Sequence, residues 1–214
     1  MKKLFLASYF SGTASLLPGF TGGACSGKRV VFIPTASIPE KITFYVGADK
    51  KALSKLGFIV DELEVSTAPR DVIAQKISNA DAVFVGGGNT FFLLQELRRT
   101  GADKLLAEHI NRGKLYIGSS AGSIIASSDI AYVRHMDSPA AAPDLHDDFS
   151  ALSAVDFFIV PHCTNFPFKK AAEKIITLYS DTLALRPISN HQAITVDGND
   201  VELIAVENKG VRRR

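Results

Sequence analysis

Lys114-Leu115-Tyr116-Ile117-Gly118-Ser119-Ser120-Ala121-Gly122 reads as an apolar strand running into a Gly-x-Ser-x-Gly bend, and this stretch decides the fold. A strand, this bend and a helix together make a nucleophile elbow, in which strained backbone lifts the central serine above the end of a sheet. Side chains two residues either side crowd such a bend, so glycine is wanted there. Only Ser120 has glycine at both places; Ser119 has Ile117 and Ala121, and Ser123 has Ala121 and Ile125. Ser120 is therefore the candidate nucleophile. A plainer reading makes it only the N-cap of the following helix.

Outward from the elbow, apolar runs recur at 3–8, 29–35, 58–66, 82–85, 155–161, 183–188, 193–196 and 201–206. The early runs are continuous rather than alternating, which implies strands buried on both faces of a parallel sheet. Helical spacing appears between them at 70–79, 90–99, 102–111 and 169–179, the first and last behind Pro69 and Pro167. Strand and helix alternate through the first two thirds, so the expected fold class is α/β, a three-layer sandwich with a mostly parallel central sheet. The last thirty residues read instead as an antiparallel meander at the sheet edge, turning at Ser189–Gln192 and Asp197–Asp200. Residues 133–150, rich in Asp, Ala, Pro and His, read as a long loop of the functional or mobile kind.

A chain of 214 residues with 46% hydrophobic content fills one sizeable core, so a single domain over 1–214 is expected. The formal charge of +2, with its one basic run at Arg212-Arg213-Arg214, gives no footprint for nucleic acid. No apolar run reaches the ~20 residues of a membrane span, and the apolar start breaks at Tyr9, Ser11, Gly12 and Thr13 before signal-peptide length. Two cysteines, Cys25 and Cys163, are too few for a disulfide framework. The expectation is a cytoplasmic protein, monomeric or homodimeric, without nucleic-acid or membrane partners.

A serine hydroxyl needs a base within hydrogen-bond reach. Of five histidines, His162 directly follows the run 155–161 and so stands at a strand end, where ligands gather in open α/β sheets. His109 falls in a helix, His135 and His146 in the long loop, and His191 in a late turn. The run Val85-Gly86-Gly87-Gly88-Asn89-Thr90, another strand end meeting a helix, suits an oxyanion hole because glycine lets backbone N–H groups come close. Gly87 or Gly88 would give one donor and Ala121 the other, with Asn89 beside the substrate. The run lacks the Lys-Ser/Thr of a P-loop and the spacing of a dinucleotide site. The orienting acid is open among Asp137, Asp144, Asp147, Asp148 and Asp156. No His-x-x-x-His or Cys-x-x-Cys pair is present, so neither a metal nor another cofactor is expected.

Phe84-Val-Gly-Gly-Gly-Asn-Thr-Phe91, Gly118-Ser-Ser-Ala-Gly122 and Val160-Pro-His-Cys-Thr-Asn165, in that order and spacing, resemble the peptidase E family of serine peptidases, the aspartyl dipeptidases and cyanophycinase among them. The resemblance runs over most of the chain. It implies a fold related to class I glutamine amidotransferases, and cleavage of short peptides by Ser120 with His162 as base and the Gly86–Gly88 turn in the oxyanion hole. It also raises Asp137, in Met136-Asp-Ser-Pro139, above the neighbouring aspartates.

Two departures stand out. The dipeptidases resemble one another in a late glutamate, where this chain has Ser189-Asn190-His191-Gln192; Asn190 is left to orient the imidazole, and an amide for an acid there costs about 10⁴ in turnover in a serine triad. The segment after Asn165 is also shorter, with Lys169 and Lys170 in place of a guanidinium, so an aspartate preference does not carry over. The alternatives are a homologue that binds without turnover, and an esterase built on the same elbow. The esterase fold usually places its histidine late, whereas some fifty residues follow His162.

Overall fold

The computed structural model describes residues 1–207; the Arg212–Arg214 run lies outside them. The described residues include nine strands, β1 (Lys3–Ala7), β2 (Arg29–Ile33), β3 (Ile59–Glu62), β4 (Ala82–Val85), β5 (Leu115–Ser119), β6 (Phe158–Val160), β7 (Leu185–Pro187), β8 (Gln192–Asp197) and β9 (Asp200–Ala205). Seven form one sheet in the order β3-β2-β4-β5-β1-β8-β9. Pairing is parallel from β3 to β1, and β8 and β9 add antiparallel at one edge. The elbow strand β5 is thus central, as its unbroken apolar run requires.

Among the described residues eight helices fill the connections: α1 (Phe10–Thr13), α2 (Leu17–Thr21), α3 (Phe44–Lys55), α4 (Arg70–Asn79), α5 (Thr90–Thr100), α6 (Ala102–Asn111), α7 (Ala121–Ile124) and α8 (Lys169–Tyr179). Side-chain alternation along the strands feeds two cores. Leu4, Leu6, Val31, Ile33, Val83 and Val85 face α4–α8, while Phe5, Ala7, Val30, Phe32 and Phe84 face α1–α3. In the second core Phe84 stacks on Phe32 at 4.9 Å and takes Phe10 edge-on at 5.1 Å. Helices on both faces of a mostly parallel sheet make the three-layer α/β sandwich that the alternating runs predict.

Three expectations need correction. The run 155–161 yields β6, which lies outside the main sheet and pairs in parallel with β7 as a separate two-stranded sheet; β7 is accordingly no part of the meander, which reduces to β8 and β9. The loop 133–150 is held in place. Single 3-10 turns at Ala131–His135, Pro139–Ala141 and Pro143–Leu145 fold it over α5, with Leu145 and Phe149 buried and Phe149 edge-on to Phe91. Helix α3 has no counterpart among the expected helices, because its buried positions are only Asp49 and Leu53 and leave no apolar stripe.

No helix among the described residues is long and apolar enough to cross a membrane. Both cysteines are free thiols, Cys25 buried and Cys163 half-buried.

Candidate active site

Ser120 stands between β5 and α7 with φ +50° and ψ −108°, a conformation that side chains rarely adopt. Its backbone is pinned from both sides: its N–H donates to Ala7 O at 3.0 Å, and its carbonyl accepts from Ser123 and Ile124. Glycine is required around it for a reason the motif alone does not give. A Cβ at Gly118 would sit 2.6 Å from Gly122 O, and one at Gly122 would sit 2.0 Å from Val85 O. The forbidden contacts are therefore between helix, strand β5 and strand β4 rather than with Ser120 itself.

His162 also has positive φ, +58°, just after β6, and this turns its ring toward the elbow. Its Nε2 lies 2.9 Å from Ser120 Oγ, and its Nδ1 lies 2.6 Å from Asn190 Oδ1. Ser8, the residue after β1, completes the support: its hydroxyl accepts the His162 N–H at 2.8 Å and donates to Asn190 Oδ1 at 2.9 Å. With the Asn190 oxygen acting as acceptor, the ring proton belongs on Nδ1 and Nε2 is free to accept from Ser120. Asn190 is itself held by its N–H donating to Asn165 Oδ1 at 2.9 Å. Phe168 stacks on the imidazole at 5.0 Å and 28°. Burial favours the neutral ring and holds the His162 pKa below the ordinary histidine value, against the opposing pull of the Asn190 hydrogen bond.

The glycine run lies directly against the nucleophile. A Cβ at Gly87 would be 3.3 Å from Ser120 Cβ, and one at Gly88, where φ is +134°, would be 2.1 Å from Ala36 O. On either side the amides are committed, Gly86 N–H to Ile33 O and Asn89 N–H to Ala36 O. Among the described residues neither Gly87 nor Gly88 gives its N–H to a backbone carbonyl. Ala121, buried at the first position of α7, follows the serine.

Two candidates take other posts. Asp137 is not beside the imidazole: its Oδ2 accepts the Thr90 N–H at 2.8 Å and the Thr90 hydroxyl, so it sits on the N-terminus of α5, where a carboxylate meets unpaired amides. Burial pushes its pKa up to about 6. Asn89 caps the same helix, accepting from Phe92 N–H at 2.9 Å and donating through Nδ2 to Ser138 O at 3.1 Å, so its side chain is not offered to a substrate. Both hold the glycine run from behind.

Of the remaining histidines, His109 is buried in α6 with Nε2 at 3.0 Å from Leu115 O, His135 packs beside Tyr179, and His146 and His191 are exposed. Among the described residues no three His, Cys, Asp or Glu side chains group closely enough to share a metal ion. Lys169 and Lys170 are exposed at the start of α8, Lys169 lying 3.8 Å from Glu173. Ser8 and Asn165 are the residues that sequence reading misses as site residues. Asn165 had a signal, since it closes the Val160–Asn165 motif; Ser8 had none, because its role depends on β1 lying beside β5.

The model of peptidase family S51 matches residues 5–204. An uncharacterised peptidase of Pasteurella multocida is 50% identical over 98% of this chain and 100% of its own length. A second, of Listeria innocua, is 52% identical over 94% of this chain and 95% of its own. Peptidase E of Shewanella sp. strain ANA-3 is 33% identical over 70% of this chain and 60% of its own length. A crystal structure of a peptidase E candidate from Listeria monocytogenes EGD-e superposes with a TM-score of 0.92 at 49% identity, covering 97% of this chain and all of that one.

Proposed function

Because the chain belongs to peptidase family S51, we propose that it is a serine-type peptidase that cleaves short peptides through an acyl-enzyme on Ser120. The observation carrying this reading is the line Ser120 Oγ–His162 Nε2–His162 Nδ1–Asn190 Oδ1, with spacings of 2.9 and 2.6 Å at its two hydrogen bonds. A bound peptide presents its carbonyl carbon to Ser120 Oγ while Nε2 takes the hydroxyl proton. The oxygen that becomes anionic points toward the amides of Gly87 or Gly88 and Ala121, which need not reorganise to meet it. The imidazolium then gives its proton to the leaving nitrogen, the C–N bond breaks, and the amine product departs. Water, deprotonated by the same ring, attacks the ester, and the acyl group leaves as a carboxylic acid with Ser120 reprotonated.

Asn190 holds the ring tautomer but supplies no negative charge to balance the imidazolium. In this respect the site follows the Cys-His-Asn arrangement rather than Ser-His-Asp, and its turnover is expected to be slower for that reason.

A fluorophosphonate, which phosphonylates a serine only when a base activates it, tests the reading. Wild-type protein labels and hydrolyses peptides from a dipeptide library; Ser120→Ala does neither, with turnover down by more than about 10³-fold. Failure of the folded wild type to label at any pH between 5 and 9 would leave a binding protein in place of an enzyme.

A further inference from the structure

The segment between Ala36 and Tyr45 is pinned to the glycine run at both ends. Ala36 O accepts the Asn89 N–H at 2.8 Å and touches the place where a Gly88 Cβ would be. The Tyr45 ring lies 4.0 Å from the corresponding place on Gly87, which is itself 3.3 Å from Ser120 Cβ. Within seven residues between these anchors stand Ile38, Ile42 and Phe44, which are 54%, 67% and 73% exposed. Phe44 meets Tyr45 edge-on at 6.0 Å. On the other flank of the nucleophile, Phe168 covers His162 and Phe166, two residues before it, is 94% exposed. Single exposed apolar side chains are ordinary, but these stand on two segments anchored beside the glycine run and beside His162, and such patches mark binding surfaces.

The charges nearby do not favour an acidic ligand. Glu40 and Lys41, neighbours in the segment, cancel, and the charged groups facing the half-buried Tyr45 are Glu40, Asp137 and Asp49. Lys169 and Lys170, directly after Phe168 in the chain, are exposed, the first lying toward Glu173. The proposed acylation would assign the two flanks: a carbonyl directed at Gly87 and Gly88 would set the residue before the cleaved bond beside 38–44, and a leaving nitrogen that reaches His162 would set the residue after it toward Phe166.

We propose that Ile38, Ile42 and Phe44 receive the side chain before the cleaved bond and Phe166 the side chain after it, making the enzyme selective for short peptides with uncharged apolar residues at both places. The inference rests on Ser120 being the acylating nucleophile, and the test separates the two. Enzyme titrated with fluorophosphonate is assayed on dipeptides with Phe, Leu, Asp or Lys in the first place and Leu, Asp or Lys in the second. Apolar-apolar dipeptides are expected to exceed aspartate-led ones in kcat/KM by about tenfold or more. Phe44→Ala is expected to raise KM about five- to tenfold for apolar first residues alone, and Phe166→Ala for apolar second residues alone, with kcat unchanged. Both side chains are exposed, so melting temperatures should match wild type, and Lys41→Ala should leave the ranking as it is.

A labelled enzyme that prefers aspartate-led peptides, or loses such a preference in Lys41→Ala, overturns the inference while the peptidase reading survives. So does an unchanged peptide ranking in Phe44→Ala and Phe166→Ala, including the case in which Phe44→Ala instead dissolves a dimer seen by analytical ultracentrifugation. Absence of labelling defeats both readings together.

Discussion

An amide holds the place behind the imidazole where a carboxylate would supply countercharge, and two measurements report on it. Burial keeps the His162 pKa below its ordinary value, so the acid limb of kcat/KM is expected at lower pH than an ordinary histidine would give. In Asn190→Asp a negative charge 2.6 Å from Nδ1 favours the imidazolium. The sign follows: the base pKa rises, the acid limb moves to higher pH, and the plateau of kcat/KM rises because the charged intermediate is stabilised. A pH–rate profile of wild type beside Asn190→Asp checks both; a plateau that falls would remove Asn190 from its orienting role. Ser8→Ala takes away the acceptor of the His162 N–H and the donor to Asn190. It is expected to lower kcat roughly tenfold with KM little changed, since Ser8 positions the ring and does not meet the peptide. That Ser120, His162 and the glycine turn come together is legible in the sequence, because each announces itself through local backbone: a bend, a strand end, a close approach. Asp137, which its Met136-Asp-Ser-Pro139 context raises among the aspartates, meets Thr90 at the start of α5 instead of the imidazole, because a short motif does not say which helix end claims a carboxylate. Ser8 was invisible, being one serine near the N-terminus until β1 and β5 are placed side by side.

At the scale of elements, the fit of α7 against the sheet is the tightest packing around the site. A Cβ at Gly122 would fall 2.0 Å from Val85 O, so Gly122→Ala must push α7 off β4. Overpacking of this kind costs about 3 kcal/mol or more, which for a chain of this size lowers the melting temperature by roughly 6–12 °C. Calorimetry measures it; a melting temperature within 2 °C of wild type, on the order of 1 kcal/mol or less, would contradict that packing. Helix α3 is joined to the start of α1 by buried Asp49, whose Oδ1 accepts the Ser11 N–H at 2.9 Å. Burial raises the Asp49 pKa to about 7. The folded state therefore binds this proton more tightly than the unfolded chain. The stabilisation is complete below the ordinary carboxylate pKa and is lost as pH rises through about 7. Asp49→Asn keeps an acceptor for Ser11 without the charge, so its melting temperature relative to wild type should climb between pH 5 and pH 8. A difference independent of pH would mean Asp49 is not the titrating group. Strands and the four longer amphipathic helices were readable from apolar period, since burial on one or two faces leaves that imprint. Helix α3 left none, because a carboxylate holds one of its two buried positions. That β6 pairs with β7 rather than with the main sheet is a matter of partner choice, which no single run encodes.

For the whole molecule, the two cores are halves of one structure. Leu4 and Leu6 enter one while Phe5 and Ala7 enter the other, and β2 and β4 divide in the same way. Neither core survives without the strands it shares, so a single cooperative unfolding transition is expected, with equal calorimetric and van't Hoff enthalpies. Two resolved transitions would instead divide the chain into domains. The position of β1 also bears on how the protein is made. Lys3 faces Leu115 on one side and Asp197 on the other, and Ser8 just beyond meets His162 and Asn190. β1 must therefore wait for β5 and then β8 before its two neighbours exist. A chain made only through β5 and α7 carries Ser120 but not His162, Asn190 or β8. Ser120 therefore gains its imidazole partner, and the amide behind that ring, only once the chain has been made through Asn190.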